Sequence, residues 1–348
     1  MKKKNIAVIF GGCSSEYSVS LESAGGVISH MDRDRFTPVL LGITEQGDWY
    51  HFTGDEGRIA DGTWTDENCS PAAISPDRSR HEVIVFQKNE IQRISLDAVF
   101  PVLHGRNGED GTVQGLCELA GIPLAGCGTL SSALCMDKER AHKLVSLSGI
   151  RVPASFALSA GYDMRQVRET ADKFGYPLFV KPVKAGSSYG VAKVSAPETL
   201  EAAVKDAFRY DSRVLLEENI PGFEVGCAVM GNGVPFTGEL DEVELSHGFF
   251  DFTEKYNLIT SQIHVPARVS PEKTAELKAA AKTIYQALGC RGFARVDMFL
   301  TPDGEVVFNE VNTIPGFTPH SRFPSMMQAA GMSFEEVITR IIEMAVAE

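Results

Sequence analysis

The chain has 348 residues, which is too long for one ordinary hydrophobic core and predicts two or three domains. Its formal net charge of −13 argues against general binding to nucleic acids or membrane surfaces, and no apolar run is long enough to span a membrane. The apolar part of the N-terminus is too short for a signal peptide, so we expect a cytoplasmic protein whose seven scattered cysteines are reduced.

The first predicted unit opens with an apolar strand at residues 5–10, a turn at Gly11-Gly12 and a helical pattern after Glu16. Strand, glycine turn and helix are the opening of a doubly wound α/β unit, whose ligands bind at the carboxyl end of the strand. The turn lacks the G-x-G-x-x-G spacing, so it does not predict a dinucleotide site. Glu16 either favours the helix dipole or presents a carboxylate to a substrate crevice.

Two further strands, predicted at residues 37–43 and 98–104, complete a small sheet with the first. The polar segment between them, residues 47–90, is interpreted as a surface excursion. The last of these strands ends in a loop at residues 104–111, whose glycines allow a ligand to approach the backbone closely. His104 in this loop either contacts a substrate or braces the loop.

A helix predicted at residues 131–147 carries Lys138, and a lone helical lysine is usually solvated. A strand at residues 176–182 then leads into a turn of small and hydroxyl-bearing residues that includes Ser187. The backbone N–H groups of such a turn can wrap a phosphate, and Lys181 beside it supplies positive charge. The turn is not a Walker A loop, because no G-K-[ST] sequence opens a helix there.

Three acidic residues, Glu217, Glu218 and Glu224, flank a Pro-Gly turn after the next predicted strand. They form either a solvated edge or a set of acceptors for an adenine amino group and a ribose. Residues 247–262 then interrupt the sheet pattern with a long aromatic and charged segment, which is typical of a lid. A helix follows at residues 271–288, with a serine N-cap and a proline in its first turn.

The next segment reads as a β-hairpin around a turn at residues 301–304. A four-residue loop places Arg295 opposite Glu310, and side-chain alternation puts Asp297 and Asn312 on the same face as these two. Oxygen ligands without His or Cys suit Mg²⁺, which proteins usually hold with one or two carboxylates and substrate phosphates, so we expect an ATP site. The alternative is a cross-strand Arg295–Glu310 ion pair with the other two side chains solvated.

Taken together, these segments resemble the D-alanine–D-alanine ligase family of ATP-grasp enzymes over nearly the whole chain. The motifs that carry the resemblance are GGCSSEYSVS from Gly11, PVLHGRNGEDG from Pro101, MDKERAHKL from Met136, FVKPVKAGSSYGVAKV from Phe179, EKY from Glu254, and ARVDMFL with FNEVNTIPGFTPHS from Ala294. The resemblance implies an α/β fold, in part α+β, with a Rossmann-like N-terminal domain at 1–125 and two ATP-grasp subdomains at 126–213 and 214–348. The second subdomain would carry the metal site and the lid at 247–262.

The resemblance also implies a set of nucleotide and metal contacts. The residues that match ligands of two Mg²⁺ ions, or of Mn²⁺ in their place, are Asp297, Glu310 and Asn312. The residues that match contacts to ATP are Lys138, Lys181, Ser187, Glu217, Ile220, Glu224 and Lys255. Glu218 stands where the family commonly has a lysine, so this chain departs from the pattern at that contact.

The reaction implied by the resemblance has two steps. The carboxylate of a first D-alanine attacks the γ-phosphate to give an acyl phosphate and ADP, and the amine of a second D-amino acid then displaces phosphate. Glu16, Ser188 and Tyr256 resemble the trio that links the first substrate, the flap and the lid. Arg295 and the Gly316 N–H resemble the groups that stabilise the tetrahedral oxyanion.

The second substrate is indicated by two departures from the ordinary pattern. Phe250 stands where the lid commonly carries a tyrosine, and Arg322 where a Leu or Met usually follows His-Ser; both resemble the vancomycin-resistance D-alanine–D-serine ligases. Arg322, with Asp241 nearby by resemblance, would bond a serine hydroxyl, and such a site rejects an analogue that lacks it. His104 and Ser321 are further implied substrate contacts. D-serine is therefore the expected acceptor, with a housekeeping D-alanine–D-alanine ligase as the alternative.

Two rival functions remain at this stage. One is another ATP-grasp carboxylate–amine ligase, which release of ADP and dependence on a D-amino acid would distinguish. The other is a non-catalytic nucleotide-binding module, which the complete Asp297, Glu310 and Asn312 set argues against. The family resemblance also implies a homodimer.

Overall fold

The computed structural model describes residues 3–186, 189–245, 261–318 and 320–347, which form three sheets with helices packed against them. The strands are Lys4–Gly11 (β1), Phe36–Ile43 (β2), Trp49–Phe52 (β3), Cys69–Ile74 (β4), Glu82–Phe86 (β5), Ile91–Ser95 (β6), Ala98–Val102 (β7), Ser155–Ser159 (β8), Leu178–Pro182 (β9), Ala192–Val194 (β10), Arg213–Glu218 (β11), Phe223–Met230 (β12), Phe236–Leu245 (β13), Ser261–His264 (β14), Phe293–Leu300 (β15) and Val306–Asn312 (β16). The helices are Tyr17–Ser29 (α1), Gly57–Ala60 (α2), Thr112–Ala120 (α3), Thr129–Met136 (α4), Lys138–Ser146 (α5), Met164–Phe174 (α6), Pro197–Ala207 (α7), Pro271–Ala287 (α8), Arg322–Ala329 (α9) and Phe334–Val346 (α10).

The first sheet has the order β6-β5-β4-β3-β2-β1-β7, with β1 parallel to both β2 and β7. Gly11 ends β1 with a φ of +88°, and a Cβ there would collide with the carbonyl oxygen of Ile43, so the turn into α1 requires glycine. The prediction of a surface excursion at residues 47–90 is wrong. That segment supplies β3 to β5, and buries Trp64 with its indole N–H donating to the Tyr17 hydroxyl at 2.9 Å.

The second sheet is antiparallel in the order β10-β9-β11-β8, and α6 and α7 pack against it. The predicted phosphate-binding turn connects β9 to β10 at the edge of this sheet. A domain boundary at 213/214 would separate β11 from its sheet, because Val214 to Glu218 pair with Pro182 to Leu178 of β9. We therefore propose that the boundary lies at residues 219–222, between β11 and β12.

The third sheet has the order β14-β13-β12-β15-β16, and α8 packs on it with an apolar face that includes Leu277 and Ile284. Ser270 caps α8 by accepting the N–H of Lys273 at 3.2 Å, as the serine before the proline predicts. The predicted lid lies mostly outside the described residues. Its last two residues, 261 and 262, begin β14.

One predicted helix is in fact two. The pattern at residues 131–147 predicts a continuous helix, but α4 ends at Met136 and α5 begins at Lys138. Asp137 between them has extended backbone angles, and its carboxylate accepts the N–H of Arg140 at 3.0 Å as the N-cap of α5. The break places Lys138 in the first turn of α5. No helix in the described part of the chain is long and apolar enough to cross a membrane.

Candidate active site

A cavity of about 1050 Å³ lies where the three sheets and their connecting loops meet. Its size is at the upper end of the range for small-molecule sites. The predicted site residues that line it are Glu16, His104, Lys138, Arg295, Glu310, Asn312, Gly316, Ser321 and Arg322. These residues come from four stretches of the chain, at residues 16, 104, 138 and 295–322, so the fold gathers nine of the sixteen described site residues at one cavity.

The hairpin β15–β16 presents its polar residues to this cavity on one face. The predicted register is wrong in detail: Arg295 lies opposite Asn312 and Asp297 opposite Glu310, because the loop has five residues and a bulge follows Asp297. The shared face is nevertheless present. The Asn312 side-chain amide donates to Asp297 Oδ2 at 2.9 Å, and Glu310 and Asn312 both line the cavity.

The oxygen atoms of this face suit a hard cation. Two carboxylates and one amide are too few donors for a cage made only of protein, and this fits Mg²⁺, which takes its remaining ligands from water and phosphate. The alternative of an Arg295–Glu310 ion pair is not what the described residues form. Arg295 instead holds Asp297 on its own strand with hydrogen bonds of 2.7 to 3.1 Å, and Glu310 lies 3.3 Å from Lys138.

Two predicted lysines lie beside this face, each held by an acceptor. Lys138 donates to the carbonyl oxygen of Ala185 at 3.0 Å, at the entrance to the predicted flap. Lys181 forms a buried ion pair with Glu217 at 2.6 Å. Lys138 lines the cavity, whereas Lys181 is held by its ion pair and is not among the lining residues.

The structure does not bring Glu218 together with Glu217. The two residues are consecutive in β11, so their side chains lie on opposite faces of the sheet. Glu218 accepts the N–H of Ala154 at 2.8 Å. Ile220 lies partly exposed in the connection to β12. Glu224 on β12 accepts a hydrogen bond from Arg322 Nη1 at 2.6 Å, which holds the Glu224 carboxylate beside Arg322.

His142 is a buried residue next to the predicted nucleotide contacts that sequence reasoning missed. Its Nε2 donates to the carbonyl oxygen of Asn309 at 2.9 Å, and its Nδ1 lies 3.8 Å from Glu217 Oε2. Within the described part of the chain, neither His142 Nδ1 nor Glu217 Oε2 has a hydrogen-bond partner. Burial lowers the pKa of His142, so its imidazole is neutral. The available signal was its position four residues after Lys138, which places both side chains on the same face of α5.

Glu16 lies at the N-terminus of α1, but its side chain does not cap the helix. The carboxylate is buried between two glycines from distant segments: a Cβ at Gly105 or Gly186 would come within 2.7 or 2.9 Å of its Oε2. Glu16 therefore lies where the loop after β7 meets the turn that follows β9. This position favours the substrate-crevice interpretation over the helix-dipole interpretation.

His104 braces its loop, and its contact with a substrate stays a prediction. Its Nε2 lies 3.2 Å from the Ser23 hydroxyl, which in turn accepts the N–H of Phe317 at 3.2 Å, so the histidine braces two segments. It also lines the cavity, and burial lowers its pKa. Gly316 lies beside Ser321, because a Cβ there would come within 2.7 Å of the Ser321 oxygen.

Arg322 is the centre of a buried charge cluster. Its Nε and Nη2 donate to the two oxygens of Asp241 at 2.6 and 2.7 Å, and Nη2 lies 3.5 Å from Asp297. Asp241 is completely buried behind the arginine and does not itself line the cavity. Gly226 makes the cluster possible, because a Cβ at that position would collide with Asp241 and Arg322.

Five of the predicted site residues lie outside the described part of the chain, or have no described placement. They are Ser187, Ser188, Phe250, Lys255 and Tyr256. Their roles stay predictions.

Glu109 is a second residue that sequence reasoning did not single out, although it lies in the glycine-rich loop after β7. Its carboxyl group accepts the N–H of Gly105 at 2.8 Å and faces that of Ile314 at 3.4 Å. Burial and then the negative charge of Glu16 raise its pKa from 4.5 to about 8. The folded protein therefore keeps a proton on Glu109 that the unfolded chain releases.

This proton predicts a pH dependence of stability. Because the pKa is raised on folding, the contribution of Glu109 to stability is fully present below pH 4.5 and is lost as the pH rises through about 8. We expect Glu109→Gln to flatten the decline in the free energy of unfolding over this range, measured by urea denaturation. Glu90→Gln, at an exposed position, is the control. A Glu109→Gln variant that keeps the wild-type slope would contradict the assignment.

Comparison with known proteins gives two family matches that together span most of the chain. The family described as D-ala D-ala ligase N-terminus matches residues 5–127, and the family described as D-ala D-ala ligase C-terminus matches residues 144–343. The crystal structure of a VanG D-Ala:D-Ser ligase from Enterococcus faecalis is 52% identical, with a TM-score of 0.92, over 99% of this chain and 100% of that one.

Two curated relatives complete the comparison. A putative D-alanine–D-lactate ligase of Streptomyces coelicolor is 44% identical over 99% of this chain and 98% of its own length. A D-alanine–D-alanine ligase of Caldicellulosiruptor bescii is 41% identical over 99% of this chain and 96% of its own length. The names of these three similar proteins refer to three different second substrates, so similarity alone does not choose among them.

Proposed function

The chain belongs to the D-alanine–D-alanine ligase family of ATP-dependent ligases, and from this premise we propose that it joins D-alanine preferentially to D-serine. D-alanine is a weaker acceptor in this proposal. The product is a peptidoglycan precursor that contributes to vancomycin resistance, and the enzyme acts as a cytoplasmic homodimer.

The observation that carries the proposal is the position of Arg322. An arginine has five N–H donors, and three are used in hydrogen bonds to Asp241 and Glu224. Nη1 donates one of its two N–H groups to Glu224, and within the described residues its second N–H has no hydrogen-bond acceptor. We assign this donor to the hydroxyl oxygen of D-serine at the cavity wall.

Asp241 is then a positioning residue. Its two hydrogen bonds fix the plane of the guanidinium group, so the second N–H of Nη1 points in one direction only. A hydroxyl-bonding group of this kind discriminates by leaving a buried polar atom unpaired when D-alanine binds. Phe250 would shape the other wall of the acceptor pocket.

The first step of the proposed reaction transfers the γ-phosphoryl group of ATP to the carboxylate of D-alanine. Lys138 and Lys181 bind the phosphates, while Glu16 receives the ammonium group of D-alanine. Asp297, Glu310 and Asn312 would hold two magnesium ions, which would supply charge neutralisation to the phosphates.

In the second step the acceptor amine attacks the acyl phosphate, and inorganic phosphate leaves. Arg295 neutralises the developing oxyanion together with the N–H of Gly316. Ser187 and Ser188 of the flap and Lys255 and Tyr256 of the lid close over the reactants and exclude water, which would hydrolyse the intermediate. A housekeeping D-alanine–D-alanine ligase is the alternative, and it requires that Arg322 make no contact with the acceptor.

Product analysis with ATP, D-alanine and D-serine in competition tests the proposal directly. We expect D-alanyl-D-serine as the main product and ADP as the nucleotide product. A mixture dominated by D-alanyl-D-alanine would support the housekeeping alternative, and the absence of both dipeptides would contradict the ligase assignment.

Arg322→Met tests the contact itself. We expect the ratio of kcat/KM for D-serine to that for D-alanine to fall by about 100-fold, the equivalent of one good hydrogen bond to a charged group. The ratio is measured on one enzyme preparation, so it does not depend on the fraction of folded protein. Arg340→Met, on the exposed face of α10, is the matched control. An unchanged ratio in Arg322→Met would remove the arginine from acceptor selection.

A further inference from the structure

Three of the seven cysteines, all of which the structure describes, gather in one cluster. The thiols of Cys135 and Cys290 are 3.7 Å apart, and the thiol of Cys127 is hydrogen-bonded to that of Cys290. Cys127 and Cys135 belong to the segment around α4, whereas Cys290 follows α8, so the cluster joins parts of the chain more than 150 residues apart. We name these three residues the thiol cluster.

The two sides of the thiol cluster are closely packed. Gly126 lies against Gly292, where a Cβ would come within 2.7 Å of the Gly126 Cα. Cys127 also donates to the carbonyl oxygen of Arg291 at 3.4 Å. Close backbone contacts between the two segments, and not only the side-chain rotamers, therefore keep the sulfurs near each other.

We propose that Cys135 and Cys290 form an oxidisable thiol pair, which a hydroperoxide converts to a disulfide that reversibly lowers the activity of the enzyme. Cys290 is partly exposed and lies in a loop, so it is the thiol that an oxidant can reach. Cys135 is buried and lines the active-site cavity. The inference goes beyond the proposed function and rests on it only for the activity measurement.

The chemistry of the step is balanced. The Cys290 thiolate attacks one peroxide oxygen, the O–O bond breaks, and a sulfenic acid forms with release of an alcohol or water. The sulfur of Cys135 then attacks the sulfenic sulfur, the S–O bond breaks, and water leaves with the thiol proton. Two thiols lose two electrons and two protons in total, and the hydroperoxide is reduced.

The raised pKa values of these thiols explain why the pair resists oxidation near neutral pH. Hydrogen bonding to Cys290 and burial raise the pKa of Cys127 well above its usual value. The pKa of Cys290 is also raised well above its usual value, since its bond to Cys135 and burial outweigh the opposing effect of Cys127. Because the thiolate is the nucleophile, oxidation is slow near neutral pH and accelerates as the pH rises toward the raised pKa of Cys290.

The disulfide would act on the active site through α4. A disulfide needs a sulfur separation of about 2.05 Å, so the pair must approach by more than 1 Å. Cys135 is the penultimate residue of α4, and Lys138 begins α5 directly after the single residue Asp137 that caps it. A shift of this size at a catalytic group commonly costs tenfold or more in rate, so we expect at least about a tenfold loss of kcat.

The experiment treats the whole enzyme with hydrogen peroxide and measures two quantities. Peptide mapping by mass spectrometry is expected to find a link between residues 135 and 290, with a loss of two hydrogen atoms, that forms faster at pH 9 than at pH 7. Ligase activity is expected to fall at least tenfold and to return after dithiothreitol. Cys290→Ser should keep its activity through the same treatment, whereas Cys13→Ser, at the exposed cysteine, should behave as the wild type.

Three results would overturn the proposal. One is the absence of the 135–290 link in oxidised wild-type enzyme, and another is a link between residues 127 and 290 in its place. The third is equal loss of activity in Cys290→Ser and the wild type. Peptide mapping needs no substrate, so it remains decisive if the ligase assignment itself fails or if Cys290→Ser does not fold.

Discussion

Glu310→Gln is expected to lower kcat by about two to three orders of magnitude. The substitution keeps the shape of the side chain and removes the one described carboxylate of the hairpin that lines the cavity. It also removes the charge that lies 3.3 Å from Lys138, so the lysine is no longer held toward the phosphate region. The fold should be intact, because Glu310 is partly exposed and does not belong to the core.

The measurement is the rate of ADP release at saturating ATP and D-alanine, titrated with MgCl₂. We expect the variant to need a higher magnesium concentration for half-maximal rate, in addition to its lower kcat. Glu305→Gln is a matched control from the same hairpin, since Glu305 pairs with Arg151 on the surface away from the cavity. Equal activity of the two variants would show that the Glu310 carboxylate is not part of the metal site.

Arg322→Met is expected to lower the free energy of unfolding by about 3–5 kcal/mol near neutral pH. The arginine is buried and is the hydrogen-bond partner of Asp241, which is completely buried. Removing it leaves a buried carboxylate without its counter-ion and weakens the position of Glu224. The loss is measured by urea denaturation of the wild type and the variant.

The pH dependence of this loss follows from Asp241. Burial raises the pKa of Asp241, but the charge and hydrogen bonds of Arg322 outweigh it, so the pKa lies below the usual value of 3.8. The ion pair therefore stabilises the fold above pH 3.8 and is lost as the pH falls through the folded pKa. The difference between wild type and variant should shrink as the pH falls below 3.8.

A double-mutant cycle separates this ion pair from general disruption. Asp241→Asn combined with Arg322→Met should be less destabilising than the sum of the two single substitutions, because each removes the same interaction. Additive effects would mean that the two residues stabilise the fold independently. Arg340→Met, which changes an exposed arginine, should alter the free energy of unfolding little.

The shared face of the β15–β16 hairpin could be predicted from sequence because side chains alternate along any strand. The loop has five residues and not four, and the bulge after Asp297 offsets this difference, so the four polar side chains of the hairpin again share one face. The register could not be predicted in the same way. It depends on the bulge after Asp297, which is set by how the hairpin packs on its neighbours and not by the turn residues alone.

Other errors came from local signals that tertiary structure overrides. Polar composition at residues 47–90 suggested a surface excursion, yet a strand such as β4 exposes alternate residues to solvent and has a similarly polar composition. The helical pattern at residues 131–147 concealed the break at Asp137, because an aspartate inside a helix and an aspartate at an N-cap look alike in sequence.

The sequence could not reveal the parts of the site in which residues distant in the chain become buried next to each other. Nothing near Glu109 in the sequence indicates that Glu16 lies beside it, and the raised pKa of Glu109 depends on that neighbour. His142 was hidden for the same reason, since its position against Glu217 exists only after α5 packs beside the second sheet.

The 3.5 Å separation between Arg322 and Asp297 couples two properties that an engineer would wish to adjust separately. A neutral residue at position 322 would leave Asp297 in a more negative surrounding, and a divalent cation would then bind there more tightly. If Arg322 selects the acceptor as proposed, a change of acceptor through this arginine would also change the concentration of magnesium at which the enzyme works best.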